Sequence, residues 1–304
     1  MDYILITKNL GKKYRHFKAL SGLSMHIPKG SIYGFVGRNG AGKTTLIRLI
    51  CGLQEPTEGS FTLYGIKNSD NNIVKARQRM GAVVETSAIY LDMTAEDNMK
   101  QQYRVLGIPS FDGIPELLKL VGLGNTGKKK AKNFSLGMKQ RLGIAIALAG
   151  TPDFLVLDEP TNGLDPQGII EIRELILKLN RERQITVLIS SHNLDELSRL
   201  ATHYGIIDAG SMVKELSAEE LESSLKKCMR IEVSKMPVLI RVLESMQIDY
   251  NILSDNQADV FAKLNISQLT LALAKEDCEV LSIETKDESL ENFFISLTGG
   301  NANA

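Results

Sequence analysis

The chain is short of cysteine, of net charge and of long uncharged runs, and each shortage excludes something. Three cysteines, Cys51, Cys228 and Cys278, in 304 residues are too few and too scattered for a disulfide framework or a metal knuckle. Buried thiols in a reducing cytoplasm are the reading they leave. Lys plus Arg and Asp plus Glu both number 36, so the formal net charge is zero, which argues against a chain built to coat nucleic acid or an acidic membrane. The longest internal stretches free of charged residues are 142–152, 184–194 and 264–274, eleven residues each. A membrane-crossing helix needs ~18 or more, so no span is expected. The opening MDYILITKNLGKKY places its basic cluster after its apolar run, the wrong order for a secretory signal. Internal repeats and low-complexity tracts are also lacking. What remains is an ordinary globular composition, 43% apolar and 24% charged, long enough for one large domain or one domain with a smaller companion.

Ile32 to Val36, Phe154 to Leu157 and Ile185 to Ile189 are continuously apolar, as strands buried on both faces of a parallel sheet are. Between the last two lies a helical stripe, Ile169, Ile172, Leu175, Ile176 and Leu179, opened by Asp165 as N-cap and Pro166 in the first turn. Strand, helix, strand implies a right-handed crossover. Ile4 to Thr7, Leu23 to Ile27 and Ser60 to Tyr64 alternate and predict an antiparallel flap. Thr94-Ala95-Glu96-Asp97 reads as a capping box opening a helical insertion over about 86–150. After a helix over 218–227 the pattern changes to strand 229–235, helix 237–246, strands 249–254 and 258–263, helix 267–276 and strand 279–285, the β-α-β-β-α-β order of a ferredoxin-like domain. Leu290 to Leu297 predicts a last helix, and Gly299 to Ala304 should fray. Residues 1–227 carry 30 basic and 24 acidic side chains and residues 228–304 carry 6 and 12, so this boundary is also a charge boundary.

Gly37-Arg38-Asn39-Gly40-Ala41-Gly42-Lys43-Thr44 fits G-x-x-x-x-G-K-[ST] and lies between an apolar strand and a helical run. Residues without a Cβ let successive N–H groups turn inward around a phosphate; the helix start adds partial positive charge, Lys43 neutralises β/γ oxygens and the Thr44 hydroxyl can ligate Mg²⁺. Thr45 continues the same turn. Phe154-Leu155-Val156-Leu157-Asp158-Glu159 is an apolar strand ending in two carboxylates. Asp158 can hold Mg²⁺ directly or through water, and Glu159 can polarise an attacking water as general base. A kinase shields its site from water, so a carboxylate placed to activate water favours ATP hydrolysis.

Phe134-Ser135-Leu136-Gly137-Met138-Lys139-Gln140, some twenty residues before Asp158, resembles the signature motif of the ABC ATPases, and other motifs of that family follow in register. The resemblance runs over residues 1 to about 227. It implies that Tyr14 stacks on adenine, that Glu85 occupies the Q-loop position and faces Mg²⁺ with Thr44 and Asp158, and that Gly163-Leu164-Asp165 forms the D-loop. It further implies that His192, in Ser190-Ser191-His192, senses the γ-phosphate, and that Ser135, Leu136, Gly137 and Met138 complete the ATP site of a partner chain. Two departures stand out: Ser-Leu-Gly-Met replaces the usual Ser-Gly-Gly-Gln, and Glu85 replaces the usual Gln. With the extra C-terminal domain, these resemble the branch that exports or confers resistance to lantibiotics and bacitracin.

The fold expected is α/β: a P-loop cassette of ABC ATPase type (parallel core, antiparallel β subdomain, helical subdomain) over 1–227, and a small α+β ferredoxin-like domain over 228–304. The resemblance implies an ATP- and Mg²⁺-dependent transport motor, a homodimer or a pair with a related subunit. It would sit on the cytoplasmic face of the membrane through separate permease subunits, with no nucleic acid involved. The competing reading is a soluble ABC ATPase acting on nucleic acid or ribosomes; such proteins typically carry two cassettes or a long coiled-coil insertion, and this chain shows one cassette and no heptad run.

Overall fold

A computed structural model describes residues 2–86, 88–225, 227–261, 265–287 and 290–298. Gly299 to Ala304, and the end of the strand expected over 258–263, lie outside the described residues. The chain divides into two units, 1–218 and 219–304. The division falls ahead of the expected 227/228 boundary, because the acidic helix Ala218–Ser224 clusters from Glu219 onward with the second unit.

In the first unit, β1 (Tyr3–Tyr14), β2 (Phe17–Pro28), β4 (Glu58–Leu63) and β5 (Ile66–Lys67) form an antiparallel sheet in the order β2-β1-β4-β5. β1 and β2 run on well past the alternating segments read from the sequence. Register shifts between Thr7 and Leu10 and again before Lys12 and Lys13 break the period of two without ending the pairing. A second sheet has the order β10-β9-β3-β8-β7-β6, formed by β3 (Ile32–Val36), β6 (Met80–Val83), β7 (Phe154–Asp158), β8 (Thr186–Ser191), β9 (His203–Asp208) and β10 (Ser211–Ser217). All its pairings are parallel except that of β10 with β9. Every residue of β3, β7 and β8 is buried, as continuous apolar runs require.

Helices α1 (Lys43–Ile50) and α6 (Pro166–Arg183) follow β3 and β7, and short helices α2 (Ile73–Arg77) and α7 (Leu194–Ser198) lie in other connections. The insertion between β6 and β7 contains α3 (Ala95–Val105), α4 (Ile114–Leu120), a 3₁₀ turn at Ala131–Asn133 and α5 (Leu136–Leu148). Thr94 caps α3 by accepting from the Asp97 N–H. α8 (Ala218–Ser224) leads into the second unit. There β11 (Lys227–Val233), α9 (Met236–Ser245), β12 (Tyr250–Ile252), β13 (Gln257–Val260), α10 (Ile266–Ala274) and β14 (Val280–Asp287) give an antiparallel sheet in the order β12-β13-β11-β14, the ferredoxin-like arrangement, with α11 (Leu290–Leu297) after it. Ile231, Leu239, Leu243, Val260, Leu269 and Leu273 form a core within this unit.

β6 and β9 carry little strand signal because each contains a glycine, and each glycine is required by a neighbour. A Cβ on Gly205 would strike the Tyr33 hydroxyl, and one on Gly81 would strike the carbonyl oxygen of Ala147 near the end of α5. Gly81 therefore sets how closely α5 approaches the sheet. Gly81→Ala should destabilise the protein by about 1–3 kcal/mol through overpacking, a fall of ~2–4 °C in unfolding midpoint per kcal/mol for a unit of this size. Gly30→Ala is the control, since Gly30 has φ +80° but open space around its Cβ. Its cost should be only the ~1 kcal/mol of a left-handed residue. Thermal unfolding that ranks the two equally would contradict the close approach of α5.

Candidate nucleotide site

The turn from β3 into α1 is glycine-dependent for two separate reasons. Gly40 and Gly42 have φ +82° and +108°, where side chains are strained. A Cβ on Gly37 would come within 2.6 Å of the Ile207 carbonyl oxygen, and one on Gly42 within 2.7 Å of that of Ala19. The turn is thus wedged against β2 and β9. α1 starts at Lys43 with no side-chain cap, so its first-turn N–H groups have no intrahelical acceptor and remain available to an anion. Lys43, only 6% exposed, folds back into the turn and donates to the Gly37 carbonyl at 2.6 Å and the Arg38 carbonyl at 3.3 Å.

Strand register brings the acids to this ammonium. Asp158 pairs in register with Ser190, whose hydroxyl donates to Asp158 Oδ1 at 2.6 Å and accepts the Glu159 N–H at 2.9 Å. Asp158 is 2% exposed. Glu159 leaves β7 with φ +49°; its Oε1 lies 3.1 Å from Lys43 Nζ and its Oε2 2.9 Å from His192 Nδ1. A cavity of roughly 270 Å³ is lined by Phe17, Ala19, the loop residues Asn39, Gly40 and Gly42 to Thr45, and Glu159. A second, of roughly 590 Å³, shares Thr44 and Glu159 with it and adds Glu85, Leu136, Lys139, Gln140 and Asp158 among others. At the end of α1, burial pushes the Cys51 thiol up to about 12, with Arg77 opposing and Asp158 reinforcing the shift, so Cys51 stays protonated.

The structure brings Lys43, Thr44, Thr45, Asp158, Glu159 and His192 together, and Gly37, Arg38, Asn39, Gly40, Ala41 and Gly42 form the turn between β3 and α1. Glu85 borders the same cavity as Thr44 and Asp158, but its carboxylate is ion-paired with Arg48 of α1. Tyr14 is outside both linings: its hydroxyl donates to Gln54 and the Lys12 ammonium lies 5.3 Å over its ring. The aromatic ring at the first cavity is Phe17, 62% exposed at the start of β2. Ser135 caps α5, accepting from the Met138 N–H at 3.2 Å, and Asp165 caps α6, accepting from the Gly168 N–H at 3.1 Å. Of the signature residues, Leu136 lines the second cavity, while Ser135, Gly137 and Met138 line neither. The sequence reading assigned no role to Phe17, Arg48 or the Ser190 hydroxyl; only the Ser-Ser-His spelling pointed toward the last.

A glycine turn that buries a lysine between β3 and α1, facing an Asp-Glu pair on a parallel strand two positions away in the sheet, defines a P-loop nucleotide triphosphatase. The helical insertion between β6 and β7 narrows this to the cassette type. The chain belongs to the ABC transporter family: that family model matches residues 20–162, and similarity to curated members extends over the whole length. It is 40% identical over 303 residues to the bacitracin transport ATP-binding protein BcrA of Bacillus licheniformis, covering 99% of each chain. It is 43% identical over 212 residues to the lantibiotic transport ATP-binding protein SrtF of Streptococcus pyogenes, covering 70% of this chain and 90% of that one. Among solved structures, the dimeric post-hydrolysis state of the cassette MJ0796 bound to ADP and Pi superimposes with a TM-score of 0.64 at 26% identity, over 70% of this chain and 98% of that one. The protein is an ATP-hydrolysing ABC transporter subunit.

Ser190 orients both acids at once, one through its proton and one through its lone pair. Ser190→Ala should lower kcat about 10- to 100-fold, as loss of a carboxylate-orienting hydrogen bond does, with little change in ATP affinity. Steady-state hydrolysis and equilibrium nucleotide binding test this; an unchanged kcat would reduce Ser190 to a packing residue.

Proposed function

We propose that this chain is the motor subunit of an exporter that removes peptide antibiotics of the bacitracin or lantibiotic kind. It works as two copies, or with a related subunit, on separate permease chains at the inner face of the cell membrane. The single observation that carries this reading is the similarity to a bacitracin transport protein over 99% of both chains, because it spans the second unit as well as the cassette. The Ser-Leu-Gly-Met signature and Glu85 support the same branch. No helix among the described residues is long and apolar enough to cross a membrane, which fits a subunit held there by other chains.

The triphosphate of ATP lies along the Gly37 to Thr44 turn. Its oxygens replace the Glu159 carboxylate as the partner of Lys43, and the same exchange frees Glu159 Oε1 to take a proton from the attacking water. His192 keeps hold of Oε2 and orients the carboxylate, leaving its other ring nitrogen to face the terminal phosphate. Asp158 and Thr44 are the residues that would hold Mg²⁺, with Glu85 at the edge of the same cavity. Among the described residues no three His, Cys, Asp or Glu side chains form a protein cage for a metal. That suits a hard cation bound by one or two side chains and substrate phosphate. When bound, Mg²⁺ supplies charge neutralisation on the phosphate oxygens. Ser135 lines neither of the two cavities at the turn, which supports a role toward the nucleotide of a second chain, while Leu136, Lys139 and Gln140 of α5 border the second cavity with Thr44, Asp158 and Glu159.

Glu159→Gln should bind ATP, hydrolyse it at least ~10²-fold more slowly, and accumulate as an ATP-bound dimer on size exclusion; a monomer under saturating ATP would contradict the shared site. Deleting the gene should sensitise cells to bacitracin or lantibiotics, and only the unmodified chain, not Glu159→Gln, should restore resistance. Purification of the intact protein from native membranes should bring down a polytopic partner. Recovery with ribosomes or DNA instead would overturn the transport reading.

A further inference from the structure

Three carboxylates, Glu85, Asp158 and Glu159, border one cavity beside the nucleotide turn. Val83 pairs with Leu157 in the β6–β7 register, so Glu85 and Glu159 stand level just past the ends of adjacent parallel strands. Both have left-handed backbone, φ +61° and +49°. Strands lie ~4.8 Å apart, so two uncompensated carboxylates at one level would repel each other and any polyphosphate arriving at Lys43. One helix answers both. α1 opens with Lys43, 3.1 Å from Glu159 Oε1, and further along presents Arg48, whose guanidinium pairs with Glu85 Oε1.

We propose that Arg48 is a positioning residue for nucleotide binding: by holding the Glu85 carboxylate against α1 and cancelling its charge, it makes a glutamate at position 85 compatible with a triphosphate on the neighbouring turn. The inference rests on the nucleotide-site reading of that turn. A neutral amide at position 85 would need no such cation, so the requirement for Arg48 is conditional on Glu85. Asp158 is served separately by Ser190, which leaves Glu85 as the acid that Arg48 balances.

The test is a double-mutant cycle on the full-length protein, reading the affinity of a fluorescent ATP analogue in EDTA, where neither turnover nor metal contributes. Arg48→Met, which keeps the aliphatic stem, should weaken binding on the order of three- to tenfold, the size expected for residues sharing one charge network. In the Glu85→Gln background the same change should cost less than about twofold. Arg48→Lys should retain the affinity, and the coupling should fade at high salt. Should Arg48→Met fold poorly by thermal unfolding, Arg48→Lys and the Arg48→Met/Glu85→Gln pair still decide the matter. Equal losses in both backgrounds, or loss of affinity in Arg48→Lys, would overturn the proposal. Lys43→Ala separates it from the reading beneath it: that variant should bind no analogue, and if it binds normally the nucleotide site itself is wrong.

Discussion

The buried ammonium of Lys43 is the constraint on which the first unit depends. A cation that is 6% exposed is tolerated only if its hydrogen bonds and charge are met locally. Two backbone carbonyls of its own turn supply part of this, and the remaining partner is Glu159, just past the end of a strand that is not adjacent to β3. β8 lies between β3 and β7 in the sheet. For Glu159 to reach Lys43, the carboxyl ends of all three strands must lie level, and the parallel registers Val36 with Ser191 and Asp158 with Ser190 achieve that. The intervening strand then has no choice but to contribute its own end, and it contributes Ser190 and His192. The site is a consequence of three parallel strands stopping at the same height.

Charge balance follows the same geometry. Residues leaving a strand in left-handed backbone cost of order 1 kcal/mol each, and both Glu85 and Glu159 do so, past the ends of neighbouring strands. In each case the turned carboxylate meets a cation from α1. The helix that begins at the phosphate turn therefore sets more than the position of the nucleotide, because it also fixes the acid that follows β7 and the acid that follows β6. Glu85 lies on the segment leading to the helical insertion, so α1 ties that segment to the nucleotide turn.

Much of this was legible in the sequence where the determinants are local. Gly40 and Gly42 dictate backbone conformation by themselves, the apolar runs of β3, β7 and β8 announce a parallel sheet, and Thr94, Ser135 and Asp165 all stand at helix starts that they cap. What escaped were pairings between residues far apart in the chain. Arg48 is an unremarked cation on a helix until β6 is known to end beside α1, and β6 itself is hidden by Gly81, a residue chosen for the approach of α5 rather than for strand propensity. Tyr14 and Phe17 flank the same hairpin turn, and sequence spacing cannot tell which ring faces the phosphate turn. The pairing of Tyr14 with Gln54, contributed by a loop forty residues on, decides it.

The neutral total charge also has a structural meaning. Divided at residue 218, the first unit carries a net +7 and the second −7, a sharper contrast than the boundary read from the sequence gave, because Glu219, Glu220 and Glu222 fall with the acidic unit. Within the first unit, residues 117–152 hold seven Lys and Arg side chains and no acid, so the remainder of that unit is itself neutral. Neutral as a sum, that remainder is not uniform: residues 3–54, which contain the nucleotide turn, hold nine Lys and Arg side chains and no acid. Lys43 and Arg48 are paired with glutamates, and the second acid-free basic stretch contains Ser135, Lys139 and the start of α5. Cations gathered in the segment around Lys43 favour a triphosphate on that turn. The basic stretch around the start of α5 fits the role proposed for the signature segment, toward the nucleotide of a second chain.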